Sequence, residues 1–343
     1  MFRITMCACL LLSGCADRET CFSPDFGQEN SIRLISMLEQ GETDALEVIH
    51  DGNLVASIGA VRVKTNVASV RKSLISGLIG IAIEKGLIDP GSTLEELGID
   101  ERSTPLSPME ASATVLDLLK ARSGVYLPSI GESGGMIERR PARGSSAPGE
   151  VFYYNNWDFN VLGSIFENET GLDLGVAFNE WIAAPLGMQD FQPGDVRYQE
   201  AAYTDHRMYR FYMSARDLAR FGSLYVNEGR WQDVQIIPSY WIGQTLTKYS
   251  GVPYSSYVDG YGYLWWIDSE GGRYWAEGSG GQYLMIDRVN KLVMVTLNDR
   301  DLKLFNFRLH NPMVAAATFE EVDGLWNQVS EAVSQRGGAA ATR

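Results

Sequence analysis

The chain has 343 residues and a net charge of −14, from 29 Lys and Arg against 43 Asp and Glu. That balance, without a basic stripe, argues against nucleic acid as a partner, and the length suits one large domain or two interleaved ones. His50, His206 and His310 lie far apart and none has ligand spacing, which argues against zinc, and no glycine-rich phosphate loop is present.

The first residues read as an export leader. Met1-Phe2-Arg3 carries one positive charge, Ile4 to Leu12 is apolar, and Leu12-Ser13-Gly14-Cys15 closes the run. The run is too short to span a bilayer and has the layout of a secretory signal. The last four residues resemble a bacterial lipobox, in which Cys15 is acylated and becomes the first mature residue. Ala16 after it resembles the outer-membrane sorting pattern. Residues 1–14 are then the signal and residues 15–30 a linker from a membrane anchor, with the protein facing the periplasm. Cys7 and Cys9 leave with the signal, so Cys21 is expected to have no intramolecular partner and the fold to rest on its core.

A helix is predicted around residues 31–40, followed by a hairpin in which 46–50 and 54–58 flank Asp51-Gly52. Ser69-Val70-Arg71-Lys72 opens a helix that ends near Gly86. It is apolar nearly all round, with Gly77 and Gly80 inside, as a buried central helix with close backbone neighbours should be. From about Ile88 to Thr247 the chain reads as mostly helical: a capping box at Thr114, a helix over 156–169 closed by Gly171, and a helix capped by Ser214. Loop 128–150 carries Arg139, Arg140 and Arg143. Strands return at 262–267, 273–277, 282–286 and 292–297, then a last helix over 312–333, with the chain frayed over 337–343. Neither set of strands can bury a face alone. The economical solution is an α+β fold: one antiparallel sheet built from residues 31–87 and 250–336, flanked by helices, with 88–249 inserted as a mostly helical lobe. The site is expected in the cleft between lobes.

Three elements carry chemistry. Ser69 and Lys72, three residues apart, share a helix face. A serine hydroxyl needs a neighbouring base, and a desolvated lysine can be one. The bland reading is a capping serine before a solvated lysine. Tyr154-Asn155-Asn156 precedes the next long helix. Tyr154 can relay a proton and Asn156 can hold a substrate carbonyl; otherwise Tyr154 is an aromatic anchor and Asn156 a helix cap. Glu277-Gly-Ser-Gly-Gly-Gln282 sits between two strands, where glycines admit a substrate or simply make a turn. Gly131-Glu-Ser-Gly-Gly135 matches a nucleophile elbow in letters, but lacks the strand before Ser133 and the helix after it.

In this order the three elements resemble the penicillin-recognising serine hydrolases, which comprise class C β-lactamases, D-Ala-D-Ala carboxypeptidases and related esterases and amidases. SVRKSLISGLIGIAIEKGLID, PGEVFYYNNWDFNVLG, MSARDLARFGSLY and GYGYLWW look most like the branch of 6-aminohexanoate-dimer hydrolases and β-lactamase-like esterases. The resemblance covers most of the mature chain and implies a β-lactamase/DD-peptidase-like fold. It implies Ser69 as acylated nucleophile, Lys72 as base, Tyr154 in the proton relay and Asn156 as a substrate contact. Ser279 and Gly281 fall where the family has Lys-Thr-Gly or His-x-Gly and would bind substrate. The backbone N–H groups of Ser69 and Gln282 would form the oxyanion hole. No metal or cofactor is implied.

Ser279 departs from that pattern. A neutral hydroxyl keeps a donor for a substrate carboxylate but loses the charge, which favours an ester or amide over a β-lactam. Arg139, Arg140 or Arg143 could stand in, against the plainer reading of a solvated cluster. The expected activity is hydrolysis of a small ester, amide or peptide through a Ser69 acyl-enzyme. The alternatives are a D-amino-acid-specific peptidase or weak β-lactamase at the cell wall, and a non-catalytic envelope lipoprotein. Which of Lys72 and Tyr154 is the base stays open, since coupled groups titrate together, as does the oligomeric state.

Overall fold

The computed structural model describes residues 8–10, 19–299 and 316–340. Its strands are β1 (Ala8–Leu10), β2 (Glu19–Phe22), β3 (Ala45–His50), β4 (Asn53–Gly59), β5 (Thr65–Asn66), β6 (Val196–Ala201), β7 (Thr204–Met213), β8 (Arg230–Trp231), β9 (Val234–Gln235), β10 (Ser250–Gly251), β11 (Gly260–Tyr261), β12 (Trp266–Asp268), β13 (Arg273–Gly278), β14 (Gln282–Asp287) and β15 (Leu292–Leu297). Ten of these form one antiparallel sheet in the order β1-β2-β4-β3-β15-β14-β13-β12-β11-β10. The two ends of the chain meet where β3 pairs with β15, His50 opposite Leu292 and Ala45 opposite Leu297. At the tip of the β3–β4 hairpin Asp51 and Gly52 both take positive φ (45° and 73°), the turn that matches the twist of the strands.

β15 is buried along its whole length, as a strand covered on both faces must be. The Ala215–Val226 helix lies on β3, β14 and β15. It comes so close that a Cβ on Gly222 would stand 2.7 Å from methyls of Leu284 and Val293. The Gln28–Gln40 and Phe319–Ala340 helices pack against each other, and the latter also meets β15. Between the sheet and the second lobe runs the central helix, Arg71–Glu84, buried from Arg71 to Ala82. Gly80 is what lets it in: a Cβ there would lie 2.2 Å from the Trp241 ring, whose indole N–H donates to the Ser76 carbonyl at 2.8 Å.

Several expectations are corrected. Residues 19–30 are not a linker: β2 pairs with β4, and the Gln28–Gln40 helix begins directly after a short turn. β2 holds because Cys21 is buried and Phe22 stacks on Phe26, their centroids 5.5 Å apart. Cys21 is disulfide-bonded, where the sequence reading left it without a partner. That reading removes or acylates Cys7, Cys9 and Cys15, all of which the full chain retains; β1 lies beside β2 with Cys9 opposite Cys21. The stretch 262–267 is a hairpin rather than a strand. Gly262 packs against the Thr245 carbonyl and Leu264 turns the chain at φ 66°, its carbonyl held by the Ser73 hydroxyl at 2.7 Å. The inserted lobe contains a long β6–β7 hairpin that the helical reading missed. The last helix runs to Ala340, past the expected start of fraying; Pro312 lies outside the described residues.

Candidate active site

Ser69 sits in a single helical turn, Ala68–Val70, that runs straight into the central helix. The residue before it is strained: Ala68 takes φ 49°, the left-handed region, at a cost of about 1–3 kcal/mol. Two bonds hold it there. The Ala68 N–H donates to Asn66 Oδ1 at 3.0 Å, and the Val67 N–H donates to the Phe211 carbonyl at 3.0 Å. On the other side β13 presses against the same turn. A Cβ on Gly278 would stand 2.4 Å from the Val67 carbonyl oxygen.

One turn along the helix, Lys72 Nζ lies 2.7 Å from Ser69 Oγ and 2.7 Å from the Tyr154 hydroxyl. Lys72 is fully buried, its Nζ 4.5 Å from the Tyr154 ring centre and 4.8 Å from that of Phe159. Burial holds its ammonium well below the usual lysine range, and the neighbouring Arg71 charge pushes the same way. Tyr154 is wedged among Phe159, Trp266 and Tyr261. Burial drives its phenol upward, against smaller opposing effects of a hydrogen bond with Ser69 and of Arg71. Both shifts favour the uncharged forms, free amine and phenol.

Arg71 is buried, and among the described residues it has no carboxylate partner. Its Nη2 donates to Asn160 Oδ1 at 3.2 Å and its guanidinium lies 4.3 Å from the Tyr209 ring centre. Nε and Nη1 have no hydrogen-bond partner.

Asn156 donates its amide N–H to the Gly131 carbonyl at 2.6 Å, which fastens the 128–131 loop, while its Oδ1 is buried with no hydrogen-bond partner among the described residues. It is not the helix cap: Asn155 Oδ1 takes the Asp158 N–H at 2.9 Å. Ser279 is exposed at the mouth of the cleft. Gly281 backs onto Asn298 and Ala317, where a Cβ would lie 2.3 Å from Asn298 Nδ2. Its glycine therefore serves packing, as does Gln282, whose buried amide exchanges bonds with the Asn298 backbone at 2.9 and 3.0 Å.

The cleft in front of Ser69 has a volume of about 440 Å³. Its walls include Tyr154, Tyr254, Tyr257 and Trp266, with Arg139 and Glu277. The sequence reading passed over Tyr254, Tyr257, Trp266 and Glu277 as site residues. The aromatic density of 254–266 was visible, but only the folded sheet edge turns it toward Ser69. Of the three loop arginines, Arg140 pairs with Glu132 and Arg143 with Glu110. Only Arg139 reaches the cleft, over the Tyr254 ring at 4.6 Å. Ser133 also lines the cleft, and the helix the sequence reading denied it is present at Gly134–Arg139; its Oγ, however, caps that helix by accepting the Met136 N–H at 3.3 Å.

The beta-lactamase family model matches residues 37–318. No curated protein sequence matches the chain. Among solved structures, a candidate 6-aminohexanoate-dimer hydrolase from Bacillus anthracis is 23% identical, with a TM-score of 0.63 over 89% of this chain and 82% of its own. A penicillin-binding protein homologue from Pyrococcus abyssi, described as octameric, is 20% identical, with a TM-score of 0.60 over 82% of this chain and 76% of its own. EstCE1, a hydrolase with promiscuous acyltransferase activity, is 16% identical, with a TM-score of 0.59 over 89% of this chain and 98% of its own.

Proposed function

Because the chain belongs to the beta-lactamase family of serine hydrolases, we propose that it cleaves a small ester or amide through an acyl-enzyme on Ser69. The observation that carries this reading is the position of Lys72 Nζ, fully buried and 2.7 Å from both Ser69 Oγ and the Tyr154 hydroxyl.

In this reading Lys72 is the resting base: burial favours its free amine, and burial likewise favours the protonated Tyr154 phenol. Its lone pair takes the Ser69 proton as Oγ attacks the carbonyl carbon. The oxyanion is received by the backbone N–H groups of Ser69 and Gln282, a role supported by the contact of β13 and β14 with the Ala68–Val70 turn. Tyr154 then gives its proton to the departing alkoxide or amine and recovers one from Lys72. Water repeats the sequence in reverse against the acyl-enzyme, its proton passing through the same pair and its hydroxyl leaving with the acid. The strained Ala68 keeps Oγ presented throughout, so little reorganisation falls on the reaction itself.

Intact mass after treatment with a fluorophosphonate tests this. One adduct on the wild type and none on Ser69→Ala supports it; no adduct on folded protein gives precedence to a binding role. We also propose export as a lipoprotein acylated at Cys15. Its support is the charge, apolar run and box at residues 3–15, and the outermost position of β1, whose loss with the signal leaves β2 paired to β4; the processed chain would give up the Cys21 disulfide, since every other cysteine leaves with the signal or is acylated. Retention of wild type, and release of Cys15→Ala, from a membrane fraction is the check.

A further inference from the structure

We propose that Glu277 selects the substrate, by seating an ammonium group carried close to the scissile carbonyl. The inference rests on the hydrolase reading above and names its substrate class: cationic esters and amides rather than anionic ones.

Arg139 and Glu277 are, among the described residues, the two charged side chains of the cleft wall around Ser69. Among the described residues neither is in an ion pair. Arg139 is already occupied with an aromatic face, 4.6 Å above Tyr254. Glu277 has no cation partner among the described residues. Its neighbour Gly278 packs on the Val67 carbonyl and on Ala68, so the strand carries Glu277 right beside the turn that bears Ser69.

The surroundings suit a cation. Burial raises the Glu277 carboxyl, and Tyr283, opposite it across the β13–β14 pair, supplies a hydroxyl that works against that shift. Tyr154, Tyr257 and Trp266 line the same cleft. Ring faces attract an ammonium and a carboxylate completes the site. The same carboxylate repels an anion. Ser279, two residues along the strand, adds no positive charge to offset it. A substrate whose carboxylate must lie along this edge meets repulsion where an ammonium meets a partner.

Isosteric pairs test this without disturbing shape. One pair is the p-nitrophenyl ester of γ-(trimethylammonio)butyrate and its uncharged tert-butyl analogue, which differ on the acyl side. The other is butyrylthiocholine and its tert-butyl thioester analogue, which differ on the leaving side. The p-nitrophenyl monoester of glutarate supplies the anion. In at least one pair the wild type should favour the ammonium member by roughly tenfold in kcat/KM, mainly through KM, with glutarate the poorest ester. Glu277→Gln should bring that ratio close to one, and Glu277→Asp should retain part of it, which a merely structural role would not do. Should Glu277→Gln fail to fold, tetramethylammonium against the wild type decides: it should compete with the uncharged ester at concentrations where sodium does not.

A ratio near one in wild type, or an unchanged ratio in Glu277→Gln, overturns the proposal. A preference for glutarate that Arg139→Met removes overturns it in favour of Arg139. Turnover of uncharged esters without charge preference leaves the hydrolase reading standing alone. No turnover and no Ser69 adduct removes both.

Discussion

The guanidinium of Arg71 lies 4.3 Å from the centre of the Tyr209 ring, deep in the protein and without a carboxylate to neutralise it. A buried charge held by an aromatic face and one amide is expensive to keep. Its return is electrostatic, because a fixed positive charge next to Lys72 disfavours a second one there.

Arg71→Met should therefore raise the Lys72 pKa. In the proposed mechanism the base works as free amine, so activity should rise with pH as Lys72 loses its proton. Removing Arg71 moves that rising limb to higher pH. The check is the kcat/KM profile of an uncharged ester: a limb that stays in place would show that burial alone sets the lysine. Thermal stability should not fall with the charge, since an uncompensated ion leaves the core.

Tyr154→Phe should separate substrates by leaving group. A nitrophenolate departs without a proton, whereas an aniline needs one. The variant should lose roughly 10²–10³-fold in kcat on an anilide and far less on the matching nitrophenyl ester. Equal losses on both would place Tyr154 in deprotonating Ser69 rather than in protonating the leaving group.

Gly278→Ala should leave a folded protein with little activity. The new methyl would meet the Val67 carbonyl oxygen at 2.4 Å, a backbone atom that can move only by shifting the Ala68–Ser69 turn. A shift of under an ångström is enough to cost about 10²-fold in rate. Circular dichroism and a melting curve, set beside kcat, show whether the loss is of geometry or of fold.

Glu47 gives a stability prediction. It is buried in β3, one oxygen has no partner, and burial first, then the Glu19 charge, raise its carboxyl to about 7. The folded chain thus holds this proton where the unfolded chain, near 4.5, has released it. Its effect on stability is nil at low pH, becomes unfavourable as pH climbs from 4.5 to about 7, and is constant above that. Glu47→Gln mimics the protonated form. It should match wild type in stability near the bottom of that window and exceed it above the top, by about 3 kcal/mol. Identical curves at high pH would mean that Glu47 is ionised and solvated in the fold.

The sequence disclosed what is local. Ser69 and Lys72 are related by one helical turn, so their spacing alone predicts their meeting. Gly80 inside an apolar helix announced a close neighbour, and Trp241 is that neighbour. The β6–β7 hairpin was less legible. Its buried residues Thr204, His206, Tyr209, Phe211 and Met213 follow a strand alternation broken once, and charged residues between them masked it. The 262–267 stretch misled because Leu264 takes a conformation that leucine seldom adopts, imposed by Ser73 of the central helix. Asn156 misled because two asparagines in a row offer two caps, and a carbonyl from the distant 128–131 loop claimed the second. Glu277 opened the 277–282 segment that the sequence singled out, but nothing in the letters gave it a role of its own: a strand residue becomes a site residue only through what the sheet edge faces.

The pairing of β3 with β15 also has a temporal consequence. Residues 45–50 wait for residues 292–297 before the middle of the sheet exists, and β13 can brace the Ser69 turn only once that middle is in place. A chain emerging from the ribosome thus carries Ser69 long before it carries the sheet that positions it. Chains that stop short of residues 292–297 should be inert however much of the helical lobe they contain.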